Sequence, residues 1–209
     1  MQLYSSKKGQ GLLEAVIAIG IIITGLLAIL TLTTANIMTA GEASSHLLAN
    51  NLAREGVEAV RIIRDSSWLV NPNQTWYNLV ASPSDTTAIA VLDPNTFEWT
   101  LDFQVNSLTE AKAAIWRDTN NVFRQSWQSF PVGSLKTKFS RLVTVYPICR
   151  APAPSLDEVS TQVNCQVGWS QIGVRVVSTV AYTERGRDHV LSLEDMLYNW
   201  RANLSNYAP

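Results

Sequence analysis

The carboxylate of Glu14 has surroundings that demand a chemical partner. It lies directly before an apolar stretch, residues 15–32, that only Thr24 and Thr31 interrupt. If this stretch enters a membrane, an unpaired charge at its margin costs roughly 2–3 kcal/mol. Either the acid reaches the level of the lipid headgroups, or it pairs with a cation that no nearby residue supplies. A new N-terminal amine, released by proteolysis, would be such a cation.

The two histidines do not suggest a catalytic site. His46 and His189 have no serine, cysteine or carboxylate in a pattern that would make either one a general base. Asp118, Asn120 and Asn121 offer oxygen ligands for calcium, but the spacing of the acids does not fit a calcium-binding loop and favours a turn. The sequence therefore predicts a protein that is not an enzyme and has no cofactor.

Cys149 and Cys165 most simply form a disulfide, because both lie in a polar, exported region far from the apolar stretch. Closing the loop between them would stabilise the fold by about 3 kcal/mol. Two free thiols are the alternative. A zinc site is disfavoured because neither histidine lies near the pair in the sequence. No metal is therefore predicted.

Composition excludes some classes of protein. The 209 residues suffice for one domain with or without an appendage. The formal net charge of -1 leaves no basic excess for displacing counterions from phosphates, so no nucleic-acid partner is expected. Charged residues are only 16% of the chain, and no lysine or arginine occurs between Lys8 and Arg54. The apolar stretch in this gap is about long enough to cross a bilayer as a helix.

The residues before the apolar stretch predict its orientation. Lys7 and Lys8 form a basic region, as in a secretory signal peptide, but the stretch is long for such a signal and continues without a break into a helical pattern. We therefore expect the stretch to be retained as a single transmembrane helix. The positive-inside bias keeps the N-terminus in the cytoplasm and places everything after about residue 36 outside the membrane.

The string KKGQGLLEA, residues 7–15, resembles the class III signal of type IV prepilins and pseudopilins. The shared features are two basic residues, a glycine, a glutamate as the fifth residue after it, and an apolar helix. The resemblance implies that prepilin peptidase cleaves between Gly9 and Gln10 and methylates the new N-terminus at Gln10. It also implies that Glu14 pairs with the N-terminal amine of a neighbouring subunit. The chain departs from the family pattern at Gln10, where an apolar residue is usual.

A helical pattern continues beyond the apolar stretch, through residues 45–65. Polar residues occupy one face, where Arg54 with Glu58, and Arg61 with Asp65, are four residues apart and predict ion pairs on solvated surface. The apolar face contains Leu48, Leu52, Ala59, Ile62 and Ile63. One helix from Leu12 to Asp65 is therefore expected, followed by a loop over residues 66–87.

The rest of the chain predicts antiparallel strands. FEWTLDFQV, residues 97–105, alternates apolar and polar residues and predicts a half-buried strand with Phe97 and Trp99 on its inner face. The other predicted elements are AIAVL with a turn at residues 93–95, a hairpin around Asn120–Asn121, RLVTVYPI, and residues 172–183 with a turn at Arg185–Gly186 leading into HVLSL. All seven tryptophans lie between Trp68 and Trp200, and core filling is expected rather than a carbohydrate-binding platform.

The predicted fold class is α+β and pilin-like, with a long N-terminal helix packed on a C-terminal antiparallel sheet. The expected organisation is a leader peptide (1–9), a transmembrane and assembly half of the helix (10–36), an amphipathic half (37–65) and an extracytoplasmic, β-rich head (66–209). The closing block, RLVTVYP followed by a cysteine-bounded loop and VRVVSTVAYTERGRDHVLSLEDMLYNW, resembles the last strands of PilV-like minor pilins.

These resemblances imply a minor type IV pilin, a structural subunit that assembles into a surface pilus or primes it. The implied partners are prepilin peptidase, the major pilin, other minor pilins and the inner-membrane assembly platform. The precursor would reside in the bacterial inner membrane and the mature chain at the cell surface. A pseudopilin of a type II secretion or DNA-uptake system is one alternative. A membrane-tethered binding domain, with Glu14 incidental, is another, and a membrane-anchored hydrolase has the least support.

Overall fold

The structure is a computed structural model, and it describes residues 10–70, 75–82, 84–125, 133–152 and 157–200. The chain forms two compact units that divide between His46 and Leu47. Its elements are the α-helix α1 (Gln10–Val70), a 3₁₀ helix (Trp76–Leu79), β1 (Thr87–Leu92), β2 (Trp99–Asp102), a 3₁₀ turn (Ala111–Ala113), β3 (Ala114–Arg117), β4 (Phe123–Arg124), β5 (Leu135–Arg150), β6 (Asp157–Val159), β7 (Ser170–Glu184) and β8 (Arg187–Tyr198). The α+β, pilin-like prediction is confirmed.

The helix α1 ends later than the sequence predicts. The expected end was Asp65, before two serines, but the helix continues to Val70. The reason is tertiary packing: Trp68 is buried in the core, and the Arg64 guanidinium lies 4.9 Å from the centre of its ring. Burial of this indole outweighs the weak helix propensity of the serines. The predicted loop that follows contains the short 3₁₀ helix.

The eight strands of the described residues form one antiparallel sheet around β5. Along one edge, β5 pairs in turn with β3, β1 and β6. Along the other edge it pairs with β7, from Phe139 opposite Tyr182 to Arg150 opposite Ser170, and β7 pairs with β8. The strand β5 is therefore the centre of the sheet. The last residues of β5, the first residues of β7 and the last residues of β8 lie side by side.

The predicted hairpins are present, but the strand predicted over residues 97–105 is shorter than expected at both ends. The β1–β2, β3–β4 and β7–β8 pairs all form, and Arg185 and Gly186 adopt positive φ angles of 52° and 74° in the last turn. Phe97 was expected inside the second strand, but it is 76% exposed and has a φ of 57°. The turn after β1 extends to Glu98, because Asp93 accepts the backbone N–H of Phe97 and donates its own to Glu98. The strand β2 therefore begins only at Trp99. It ends at Asp102 instead of residue 105, because Oδ1 of Asp102 accepts the backbone N–H of Gln104 at 3.0 Å and the chain turns there.

In the second unit, residues 47–70 of α1 pack on the sheet. Leu52, Ala59 and Ile63 are buried as predicted, and Trp99 packs against the core cluster that contains Ala59 and Ile63. Ile62 is 44% exposed, contrary to the prediction. Gly56 permits the close approach, because a Cβ at this position would collide with Oγ of Ser178 and lie 3.1 Å from Cγ2 of Val143.

The ion pairs on this part of α1 differ from those predicted. Arg61 pairs with Glu58, three residues before it, and with Asp195 of β8, each at 2.5 Å. Asp65 pairs with Arg64 at 2.8 Å instead of with Arg61. Residues three apart are as close on a helix as residues four apart. The Arg61 guanidinium also gains a second carboxylate by turning towards the sheet.

A buried arginine holds α1 to the sheet, and the sequence did not predict it. Arg141 of β5 is 2% exposed. Its guanidinium donates to the carbonyl of Leu52 at 2.9 Å and to Oε1 of Gln125 at 2.9 Å, and lies 3.3 Å from the carboxylate of Glu55. Burial lowers the pKa of Arg141, and the Glu55 charge opposes that shift. The buried charge is thus both paired and hydrogen-bonded.

Candidate functional site in the N-terminal helix

The apolar part of α1 exposes its whole surface in the isolated chain. Every large apolar side chain from Leu12 to Met38 is between 45% and 73% exposed. Soluble proteins rarely expose so large a continuous apolar surface, and such surfaces mark contacts with lipid or with other proteins. The segment is also long and apolar enough to cross a membrane, a property that membrane anchors and signal segments share.

The threonine hydroxyls of this segment are satisfied within the helix. The hydroxyl of Thr24 donates to the carbonyl of Gly20 at 3.0 Å, and that of Thr31 to the carbonyl of Leu27 at 2.6 Å. Thr33, Thr34 and Thr39 likewise donate to carbonyls four residues before them. An unsatisfied polar group in hydrocarbon costs several kcal/mol, so these bonds make the surface suitable for a lipid or protein environment.

Glu14 lies on this exposed surface, in the second turn of α1, between large apolar side chains. Its carboxylate is exposed in the single chain. Leu13 and Ile17 flank it on the helix and are 62% and 53% exposed. If the surface becomes covered, the carboxylate is buried with it and then requires a cation.

The structure does not describe contacts between Glu14 and the other predicted residues of this site, Gly9 and Gln10. Gly9 lies outside the described residues. Gln10 is the first residue of α1, and only its backbone is described. Cleavage between Gly9 and Gln10 and methylation of Gln10 therefore stay predictions.

The Cys149–Cys165 disulfide is present, with 5.6 Å between its Cα atoms. It lies in the head, where it joins the end of β5 to the loop between β6 and β7. On the same end of the sheet, Arg150 donates two hydrogen bonds to Asp157, at 2.8 and 3.0 Å. The Arg150 guanidinium lowers the pKa of Asp157, and the carboxylate raises the pKa of Arg150.

The possible calcium ligands form a turn, as expected. The Oδ1 atom of Asp118 accepts the backbone N–H groups of Asn120 and Val122 at 2.8 and 3.0 Å, and Oδ2 accepts from Nε of Arg124 at 3.0 Å. These hydrogen bonds, led by the one from Val122, hold the pKa of Asp118 below its usual range.

An aromatic cluster at the end of the head was not predicted as a unit. Trp68 and Trp76 are buried, which agrees with a core role, but Trp200 is 54% exposed beside them. Tyr77 is also buried there; burial raises its pKa, and a hydrogen bond with Asn199 opposes the shift. The only signal in the sequence was the recurrence of aromatic residues just after the helix and again at the end of β8.

Comparison with protein-family models, with curated proteins and with solved structures found no match for this chain. The pilin-like architecture therefore rests on the long apolar N-terminal helix, the antiparallel sheet on which its later residues pack, and the disulfide.

Proposed function

We propose that the protein is a minor type IV pilin, a non-catalytic subunit that is cleaved after Gly9 and drawn into a filament through α1. The observation that carries this proposal is the apolar surface of α1, exposed from Leu12 to Met38 with one carboxylate, Glu14, near its start. A surface of this kind is unstable in water and needs lipid before assembly and neighbouring helices after it.

In this proposal, Glu14 sets the axial offset between neighbouring subunits in the filament. In a bundle of apolar helices a lone carboxylate is strongly unfavourable, and the amine of a neighbouring subunit that begins at Gln10 would neutralise it. Only one axial offset between two helices places the amine beside the carboxylate. The charge pair therefore selects the offset, whereas apolar packing alone tolerates several.

The partners of this proposal are prepilin peptidase, the major pilin, other minor pilins and the assembly platform of the bacterial inner membrane. The precursor spans that membrane once with its N-terminus in the cytoplasm, and the mature chain reaches the cell surface. In the head, the strands, the disulfide and the buried Arg141 network form a compact unit that would be carried outside.

Substitution of Glu14 by alanine tests the proposal in bacteria that produce the pili. We expect the variant to be inserted in the membrane normally but to fall about 100-fold in the sheared filament fraction, as loss of about 3 kcal/mol would produce. The matched control is Glu42→Ala, which removes another exposed carboxylate of α1 beyond the apolar stretch. Immunoblots of membrane and filament fractions provide the measurement.

The same comparison separates the proposal from its alternatives. A membrane-tethered binding domain would keep its function and its location when Glu14 is replaced. Filament incorporation of Glu14→Ala at the level of Glu42→Ala would therefore refute the pilin assignment. A pseudopilin would show the same dependence on Glu14, and it is distinguished by loss of secretion or DNA uptake in place of loss of surface pili.

A further inference from the structure

The head contains a cavity of about 460 Å³ at the end of the sheet where β5 and β8 finish and β7 begins. Its walls include three aromatic side chains and three polar ones: Tyr77, Tyr198, Trp200, Arg150, Gln171 and Asn199. The strand register explains why they meet, since Cys149, next to Arg150, pairs with Gln171, and Tyr198 pairs with Gly173. The volume lies in the range of about 300–1,000 Å³ that small-molecule sites occupy.

Ring contacts hold the aromatic walls in place. The Trp200 ring packs edge-on against Trp68, with 5.3 Å between the ring centres. Trp68 contacts Trp76 at 6.4 Å, and Trp76 contacts Tyr77 at 4.8 Å. The exposed Trp200 and the cavity residue Tyr77 are thus joined through two buried indoles. A ligand that packs on these rings would not have to order them first, which favours binding.

The polar groups of the cavity still have hydrogen-bonding capacity. The Arg150 guanidinium uses Nε and one N–H of Nη2 on Asp157, and a guanidinium has five N–H donors. The amide of Gln171 donates one N–H to the carbonyl of Gly173 at 3.2 Å, and an amide has a second N–H and a carbonyl oxygen. Donors and acceptors are therefore both present beside the aromatic rings.

We propose that this cavity binds a neutral pyranose ring of a glycan. A pyranose has an apolar C–H face that packs on an exposed aromatic ring, and hydroxyl groups around its rim that both donate and accept hydrogen bonds. Trp200 and Tyr198, which are 54% and 40% exposed, supply the packing surface, and Arg150, Gln171 and Asn199 supply the partners for the hydroxyls. The Asp157 carboxylate balances the charge of Arg150, so an anionic sugar gains no advantage.

This inference does not depend on filament assembly, because the cavity belongs to the head alone. Binding is measured on the purified full-length chain in a zwitterionic detergent without a sugar headgroup. The probes are methyl α-D-glucopyranoside, methyl α-D-mannopyranoside, methyl α-D-galactopyranoside and N-acetylglucosamine. Saturation-transfer NMR detects ligands that bind weakly, with Kd near 1 mM, as expected for a site that holds about one ring.

We expect saturation transfer to the ring protons of at least one of these sugars. Trp200→Ala and Tyr198→Ala should each raise the Kd by about tenfold, the factor for loss of one aromatic packing contact. The matched control is Phe97→Ala, which removes an exposed aromatic ring in the turn between β1 and β2, outside the cavity walls, and should leave binding unchanged. Unfolding curves show which variants retain the fold, and either cavity variant suffices for the test.

The proposal is overturned if none of the four sugars receives saturation, because the cavity then serves another ligand, such as a segment of a protein. It is also overturned if a folded cavity variant binds as tightly as Phe97→Ala, since the sugar would then bind elsewhere. Neither result would affect the filament proposal, which depends on Glu14.

Discussion

The two units of this chain use apolar residues in opposite ways. In the first unit, residues 11–44 are all exposed, and Leu12 and Ile21 are 73% and 67% exposed. In the second unit, residues 47–209, equally apolar residues such as Val60 and Val176 are fully buried. Hydrophobic content alone therefore does not indicate where a core lies. The second unit buries apolar side chains within one chain, whereas the first unit needs lipid or further helices to cover its own.

The tryptophans make the two units separable by experiment. All seven lie between Trp68 and Trp200, so their fluorescence reports unfolding of the head without a contribution from the first unit. Substitutions that destabilise the head should shift the unfolding curve measured by this fluorescence, and substitutions at Glu14 or Gly41 should leave the curve unchanged.

Arg141→Ala should destabilise the head by about 3–5 kcal/mol, because removal of one partner leaves buried groups unsatisfied. The carbonyl of Leu52 and Oε1 of Gln125 would lose their donor. Urea unfolding followed by tryptophan fluorescence measures the change. The control is Arg175→Ala, which breaks a partly exposed pair with Glu194 and should cost about 1 kcal/mol or less. Equal effects of the two substitutions would contradict a structural role for the buried network.

Replacing Cys149 and Cys165 together with serine should destabilise the head by about 3 kcal/mol, since the bond closes a loop with a sequence separation of 16. The same unfolding measurement applies. Reduction of the wild-type protein should reproduce the effect of the double substitution, and the double variant should not respond to the reductant. A response of the variant to reductant would show that the stabilisation has another source.

Gly56→Ala and Gly41→Ala compare the same change in the two units. At Gly56 the new methyl group meets Ser178 and Val143, and overpacking should cost about 1–3 kcal/mol. At Gly41 no atom of the described residues lies within 4 Å of a new Cβ, so alanine should leave head unfolding unchanged and favour the helix by about 1 kcal/mol. If both variants unfold like the wild type, α1 does not pack as closely on the sheet as described.

Asp118→Asn should have the smallest effect, and that effect should depend on pH. The pKa of Asp118 is lowered in the folded state, so its charge stabilises the head above the unfolded-state pKa of about 3.9. This contribution is lost as pH falls through the lower, folded-state pKa. The wild type should therefore be more stable than the variant near pH 6, with the difference disappearing at strongly acidic pH. A constant difference would show that the charge is not its cause.

Local patterns predicted much of the fold, and pairings distant in sequence were missed. The helix, three hairpins and the disulfide follow from periodicity, turn residues and cysteine context. Arg141 could not be predicted as buried, because its partners Gln125 and Leu52 are 16 and 89 residues away and arginine is usually exposed. The three-residue strand β6 carries no pattern of its own and pairs with the end of β5, where Arg150 also holds Asp157.

For the candidate site, too, a residue could be predicted from its local sequence, but its partner could not be seen in one chain. Glu14 could be singled out from its apolar surroundings, and the structure shows those side chains exposed in the single chain. Its proposed partner is the amine of another subunit, so one chain does not contain the completed pair. The aromatic cavity was missed because its residues come from the start of the head, the end of β5 and the end of β8.

The intact mass of the protein purified from bacterial membranes tests assembly through Glu14 more directly than any substitution. We expect a chain that begins at Gln10, with or without one added methyl group, and that keeps the whole apolar part of α1. A mature protein that still contains Met1, or one that begins beyond Ala35, would contradict it. In the first case no new amine is available to Glu14, and in the second the assembly helix is gone.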